Sequence, residues 1–172
     1  PMLREAAADM RPAHLRVGTA LETRVSFNRR IAMRDGTSEM GMGGRPEDAL
    51  YREGPSDPEV GVALFATEDL DSLAALLHHT CHPVHWQPHD AVHSDWPGAW
   101  AKTVREEMLP GATPLVINGC CGNVAHRDAL NPHREDTPQS MARLLTDATR
   151  QALEIPCIID ETPVLASRTE RF

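Results

Sequence analysis

The sequence predicts an α/β fold, with layered helices on a mixed, partly parallel β-sheet. Three observations predict it. Apolar runs of strand length recur at Val60–Phe65, Leu73–Cys81 and Thr113–Asn118. Two helical patterns, Trp96–Met108 and Pro138–Leu153, are interleaved with them, as in layered α/β proteins. The third is bulk composition: 172 residues, 41% of them hydrophobic, suffice for one α/β domain, 1-172, with a real core.

The elements follow in order. Leu3, Ala6, Ala7 and Met10 carry the helical period from Met2 to Met10, and Pro12 stops it. A helix with no cap before it suggests the middle segment of a larger domain. His14–Phe27 reads as extended, with Leu15, Val17, Val25 and Phe27 apolar and Gly18 breaking the run. Arg29 and Arg30 follow: either solvated charges, or a grip for a carboxylate, a phosphate or an amide carbonyl. Arg34–Pro58 reads as a long loop containing Gly41-Met42-Gly43-Gly44. No Gly-Lys-Ser/Thr follows those glycines, so they do not make a phosphate loop.

Val60–Phe65 and Leu73–Cys81 are expected to pair as a hairpin across a turn at Thr67–Ser72. Ser94 or Asp95 can cap the helix that follows, with Pro97 in its first turn. Thr113–Asn118 runs into Gly119-Cys120-Cys121-Gly122-Asn123. This is either a tight turn or a place where backbone N–H groups approach a ligand and receive negative charge. Gly122 is on that account a substrate-binding candidate and Asn123 a catalytic one. The Pro138–Leu153 helix turns Met141, Leu144, Leu145, Ala148 and Leu153 inward, and Cys157–Ser167 reads as a last strand.

Six of the nine histidines fall between Leu73 and Gly98. As a strand, His78 and His82 would stand about 13 Å apart at roughly 3.3 Å per residue, too far to share a metal. As a helix they would be an i, i+4 pair like that of HExxH proteases, but His79 stands where that motif has its Glu, and Pro83 disfavours helix at His82. The strand reading is favoured, with His82 at its exit end as the metal-ligand candidate. His85, His89 and His93 read as polar loop residues. Asp95 has two readings of equal weight: helix cap, or acceptor for the second N–H of a metal-bound imidazole.

A formal net charge of -8 argues against a nucleic-acid partner. No apolar run approaches a membrane span and no signal-peptide pattern opens the chain. Cys81, Cys120, Cys121 and Cys157 form no CxxC pair, so a zinc ribbon is not indicated.

Several of these segments, in this order, resemble motifs of the neutral/alkaline ceramidase family. Ala75–Pro83 resembles its Cys-His-Pro segment, Ser94–Gly98 its Ser-x-Asp segment, and Asn118–Val124 its Gly-Asp segment. Val25–Arg30 is similar to its Asn-Arg motif and Gly54–Val60 to an Asp-containing segment. The resemblance implies a zinc-dependent hydrolase of a non-peptide amide, the N-acyl bond of a small-molecule or lipid substrate such as ceramide. It places a zinc ligand on His82 and the substrate-contacting arginine on Arg29. The family's first zinc histidine precedes the opening helix, and its Glu and Tyr ligands lie beyond the matched region, so the zinc site is incomplete here and the isolated chain is expected to be inactive. The serine of some members falls on Ala125 and the next proline on His126, which leaves metal-bound hydroxide as the expected attacker. Family members are often exported. The alternative reading is a non-catalytic α/β domain that binds a partner or a metal through the histidine-rich loop.

Overall fold

A computed structural model describes residues 2–41, 45–85, 91–154, 158–160 (backbone only), 164 and 166–171. In chain order its elements are α1 (Met2–Ala8), β1 (His14–Leu21), β2 (Phe27–Asn28), β3 (Arg30–Met33), β4 (Ser38–Met40), β5 (Ala49–Arg52), β6 (Glu59–Ala66), β7 (Ser72–His79), α2 (Asp95–Thr103), β8 (Thr113–Asn118), β9 (Val124–Ala125), α3 (Pro138–Glu154) and β10 (Ile158–Asp160).

The main sheet has the order β10-β1-β6-β7-β8. Its pairs are antiparallel except β7 with β8, which run parallel, His79 opposite Asn118. A parallel pair needs a long crossover, and α2 lies in that connection. Alternation assigns the faces: Val60, Val62 and Leu64 of β6 and Ala75 and Leu77 of β7 are buried in the main core with Trp96 and Trp100 of α2 and Met141, Leu145 and Ala148 of α3. Both tryptophans are fully buried, and Trp100 Nε1 donates to Thr149 Oγ1 at 3.1 Å. The mixed α/β architecture is thus present, and its hairpin is β6–β7.

Five details differ from the sequence reading. β7 ends at His79, not Cys81, because the Asn118 side chain takes over from the ladder there: Cys81 N–H donates to Asn118 Oδ1 at 3.3 Å. Extended structure after β1 stops at Leu21, where Arg24 turns back onto the buried Glu22 carboxylate. The 34–58 stretch is not one loop: β4 and β5 flank β3 in a three-stranded sheet. Those strands are three or four residues long without clear alternation, and Arg45 ties the region to Asp35 and Glu39, so no hydrophobic period announces them. α2 gives way at Val104 to a π-helical turn, Val104–Met108, closed by Leu109 N–H to Val104 O at 2.8 Å. The last strand is Ile158–Asp160; Cys157, like Met42, Gly43, Gly44 and His89, lies outside the described residues.

Candidate functional site

A narrow strip of backbone assembles the site. β2 pairs antiparallel with β9, Phe27 opposite Ala125 and Asn28 opposite Val124. On the other edge of β9, His82 forms a parallel bridge to Ala125, its N–H donating to Val124 O at 3.1 Å. Arg29 leaves β2, His126 leaves β9, and His82 lies between β7 and α2. Three segments remote in sequence therefore meet within one strand width.

The arginines differ. Arg30 is committed to Glu53, whose carboxyl it holds down. Arg29 donates from Nη2 to Gly122 O at 2.7 Å and from its backbone N–H to Asn123 O at 2.8 Å, while its Nε is buried without a partner among the described residues. Gly122 and Asn123 thus contact Arg29 through their carbonyls. Asn123 also lines a cleft of about 560 Å³ with His78, Thr80, Asn118 and Cys120. Gly119 spends its N–H on His79 O, and a Cβ there would meet Thr80 Oγ1 at 2.1 Å, so close packing of β7 against β8 requires this glycine. Gly122 has open space around its Cα.

His82 follows the end of β7, its Nδ1 buried and, among the described residues, without a hydrogen-bond partner. The described residues bring no group of three potential ligands together around it. Its neighbours have other duties. His79 is fully buried, its Nδ1 3.1 Å from Glu59 O and its ring edge-on to Trp96; burial pulls its pKa down. Burial likewise pushes the Cys81 thiol up, which makes it a packing residue and not a nucleophile.

A second cluster forms beside this strip: His85, His126 and Asp136, whose ligand atoms lie within 4.8 Å of one another and can hold a metal ion. His126 Nδ1 is 2.7 Å from Asp136 Oδ1 and 2.9 Å from Oδ2. His85 Nε2 is 3.2 Å from the same Oδ1, within ion-pair range but off hydrogen-bonding geometry, so this nitrogen is buried and has no hydrogen-bond partner among the described residues. The two rings stack, centroids 3.5 Å apart and planes 19° apart. Burial would raise the Asp136 carboxyl; the hydrogen bond from His126 and the proximity of His85 outweigh it and hold the group below the usual carboxylate range. Arg134 braces the cluster, donating to His126 O at 2.6 Å while its guanidinium packs on Phe27.

Asp95 anchors the cluster from behind. It is buried, in the left-handed region at φ 52, an uncommon conformation outside glycine. Its Oδ1 accepts from His85 Nδ1 and from Trp96 N–H, both at 2.7 Å, and its Oδ2 from His85 N–H at 2.8 Å. It begins the helix and orients an imidazole at once; that imidazole is His85, not His82. Ser94 makes no side-chain cap bond. His93 Nδ1 accepts the Asp95 N–H. His85 does lie in a loop, as read, but its side chain is only 4% exposed and is tied to Asp95. Sequence reasoning missed His126 and Asp136 altogether. The one available signal was His126 directly after the Gly119–Asn123 turn; nothing local links Asp136 to it.

Arg29 and His126 line the same cleft, about 270 Å³, with Met40, Gly41, Val84, Ala125, Arg127 and Ala129. Among the described residues no helix is long and apolar enough to cross a membrane.

Fold and site together define an α/β domain with histidine and arginine gathered where β7, β2 and β9 meet. No protein-family profile and no curated protein matches the sequence. Solved structures do. A ceramidase complexed with C2 superposes at TM-score 0.66 with 15% identity, over 88% of this chain and 24% of that one. The neutral ceramidase from Pseudomonas aeruginosa gives TM-score 0.64 with 15% identity, over 89% and 24%. The chain therefore has a neutral-ceramidase-like fold and spans about a quarter of the length of those structures.

Proposed function

We propose that this chain is part of a zinc-dependent, ceramidase-like hydrolase of N-acyl amides, carrying one zinc ligand, His82, and one substrate-holding residue, Arg29. The observation that carries the reading is the convergence of His82, Arg29 and the Gly122–Asn123 turn on the β2–β9 strip, in a domain with the ceramidase fold. The donor chemistry fits zinc: an imidazole is a common zinc ligand, and the buried, unpartnered Nδ1 of His82 is a group that a cation would satisfy. His82 is one donor where a catalytic zinc takes three, so the remaining ligands would come from outside these residues. Zinc, when bound, would polarise an amide carbonyl and lower the pKa of a water.

This chain's own residues then have separate duties. Arg29 is fixed through Gly122 O, and its guanidinium, at the edge of the cleft, would hold a substrate carbonyl or hydroxyl. Asn123 lines the cleft with Cys120 and Thr80. A lipid amide suits the mixed lining of the Arg29 cleft, where Met40, Val84 and Ala129 are apolar. Ala125 has no hydroxyl, so it supplies no nucleophile. The test uses the full-length protein and a short-chain N-acyl sphingoid amide. Arg29→Ala is expected to raise KM with metal content unchanged, and His82→Ala to lose the zinc. Unchanged zinc content in His82→Ala would remove the ligand assignment.

A further inference from the structure

We propose that His85, His126 and Asp136 form a second metal site, contained wholly within this chain, that takes a zinc-class divalent transition ion and opens onto the Arg29 cleft. The proposal stands apart from the amide-hydrolase reading, because it uses neither His82 nor any ligand outside these residues.

Two nitrogens and one carboxylate are a donor set for zinc or ferrous iron and a poor one for magnesium or calcium, which favour all-oxygen shells. The His85 side chain is 4% exposed, its Nδ1 is tied to Asp95, and its Nε2 faces Asp136 with no hydrogen bond. With its Nδ1 proton donated to Asp95, Nε2 is the ring's remaining donor atom, and it stands 3.2 Å from the Asp136 carboxylate outside hydrogen-bonding geometry. A cation between them would bond to both. Asp95 has the part that carboxylates play behind metal-bound imidazoles, fixing both tautomer and ring direction. Its left-handed backbone and its second bond, to the His85 N–H, show how firmly the fold sets that direction.

The geometry also says what must move. Bonds of about 2.0–2.1 Å at tetrahedral angles put neighbouring donors roughly 3.3 Å apart. His85 Nε2 already stands at 3.2 Å from the shared oxygen, whereas His126 Nδ1 stands at 2.7 Å. A lone pair lies in its ring plane, so two rings stacked at 19° must splay to converge. His126, which follows the two-residue strand β9 and is among the residues lining the cleft, is the ring placed beside free volume. The open coordination side would then face the cleft, as in catalytic zinc sites.

The experiment is calorimetry of the intact chain with Zn²⁺, and absorption spectroscopy with Co²⁺, beside thermal melts of every variant. One ion per chain is expected, with a cobalt spectrum free of thiolate charge transfer, which excludes Cys120 and Cys121 as the ligands. Asp136→Asn and His126→Gln should each abolish the site, and Asp95→Asn should weaken it about tenfold. His82→Ala should leave it intact. Binding that survives in a folded Asp136→Asn variant overturns the proposal, as does binding lost in His82→Ala. If His126→Gln fails to fold, the near-isosteric Asp136→Asn decides alone.

Discussion

His82 and the His85–His126–Asp136 cluster share one strip of backbone, yet their rings live differently. His82 is held by its own main chain, through Val124 O, and its Nδ1 has no partner. His85 is held by its side chain, through the bond from Nδ1 to Asp95. Removing a ring should therefore cost little in the first case and much in the second. The largest effect is expected from His85→Ala. It leaves the Asp95 carboxylate, 7% exposed, without its ring partner. Losing one hydrogen bond to a buried charged group costs about 1.5–3 kcal/mol. Urea denaturation of His85→Ala and of His85→Ala/Asp95→Ala measures it; equal stability of wild type and the single variant would erase the contrast.

The His82 side depends on backbone fit instead. Gly119 lies against Thr80, between His79 and Cys81, and a methyl group there would overlap Thr80 Oγ1. Gly119→Ala should cost about 1–3 kcal/mol, the usual range for overpacking. Thr80→Ala in the same chain should restore part of it. A Gly119→Ala variant with an unchanged denaturation midpoint would mean that the β7–β8 contact gives way freely.

Acid separates the two regions further. His79 has a pKa pulled below its unfolded value by burial, so the unfolded chain binds the extra proton first. Its stabilisation is complete above about pH 6.5 and is lost as the pH falls from there through the folded value. Asp136 is also depressed, by its histidine partners, so its contribution is complete above about pH 3.9 and is lost only below that. Stability measured from pH 8 to pH 3 should fall in two stages. His79→Gln should flatten the upper one and Asp136→Asn the lower one. A single stage unaffected by His79→Gln would contradict the burial argument.

How much of this was legible in the sequence follows from the same contrast. The sheet of β6, β7 and β8 and the helix α3 carry their period in their own residues, so the fold class could be read directly. His82 was legible because an apolar run precedes it and Pro83 follows it, both local signals. Arg29 was legible as a charged pair at the end of an extended run, though Arg30 looked equivalent until Glu53 was seen to occupy it. The cluster had no such signal. His85 and Asp136 are 51 residues apart, joined only because β9, two residues long, pairs with β2 on one edge and His82 on the other. Strands of that length leave no period, and the ionic ties of the β3–β5 sheet hid it for a related reason.

The smallest expected effect is the sharpest test of the comparison. His82 has a half-buried ring whose Nδ1 already carries the cost of an unmade hydrogen bond. Truncation to alanine removes packing contacts and also removes that unsatisfied atom. The two changes oppose each other, so His82→Ala should lie within about 1 kcal/mol of wild type. The N–H bond to Val124 O belongs to the main chain and survives the substitution. A ring that costs little to delete yet stands with an unpartnered nitrogen at the junction of β7, β2 and β9 is a residue the fold does not need for itself. His82→Leu makes the check stricter, since it keeps the volume and removes the polar atom: it should be as stable as wild type or more so. A loss of several kcal/mol in either variant would show that the ring supports the strip, and the distinction from His85 would disappear.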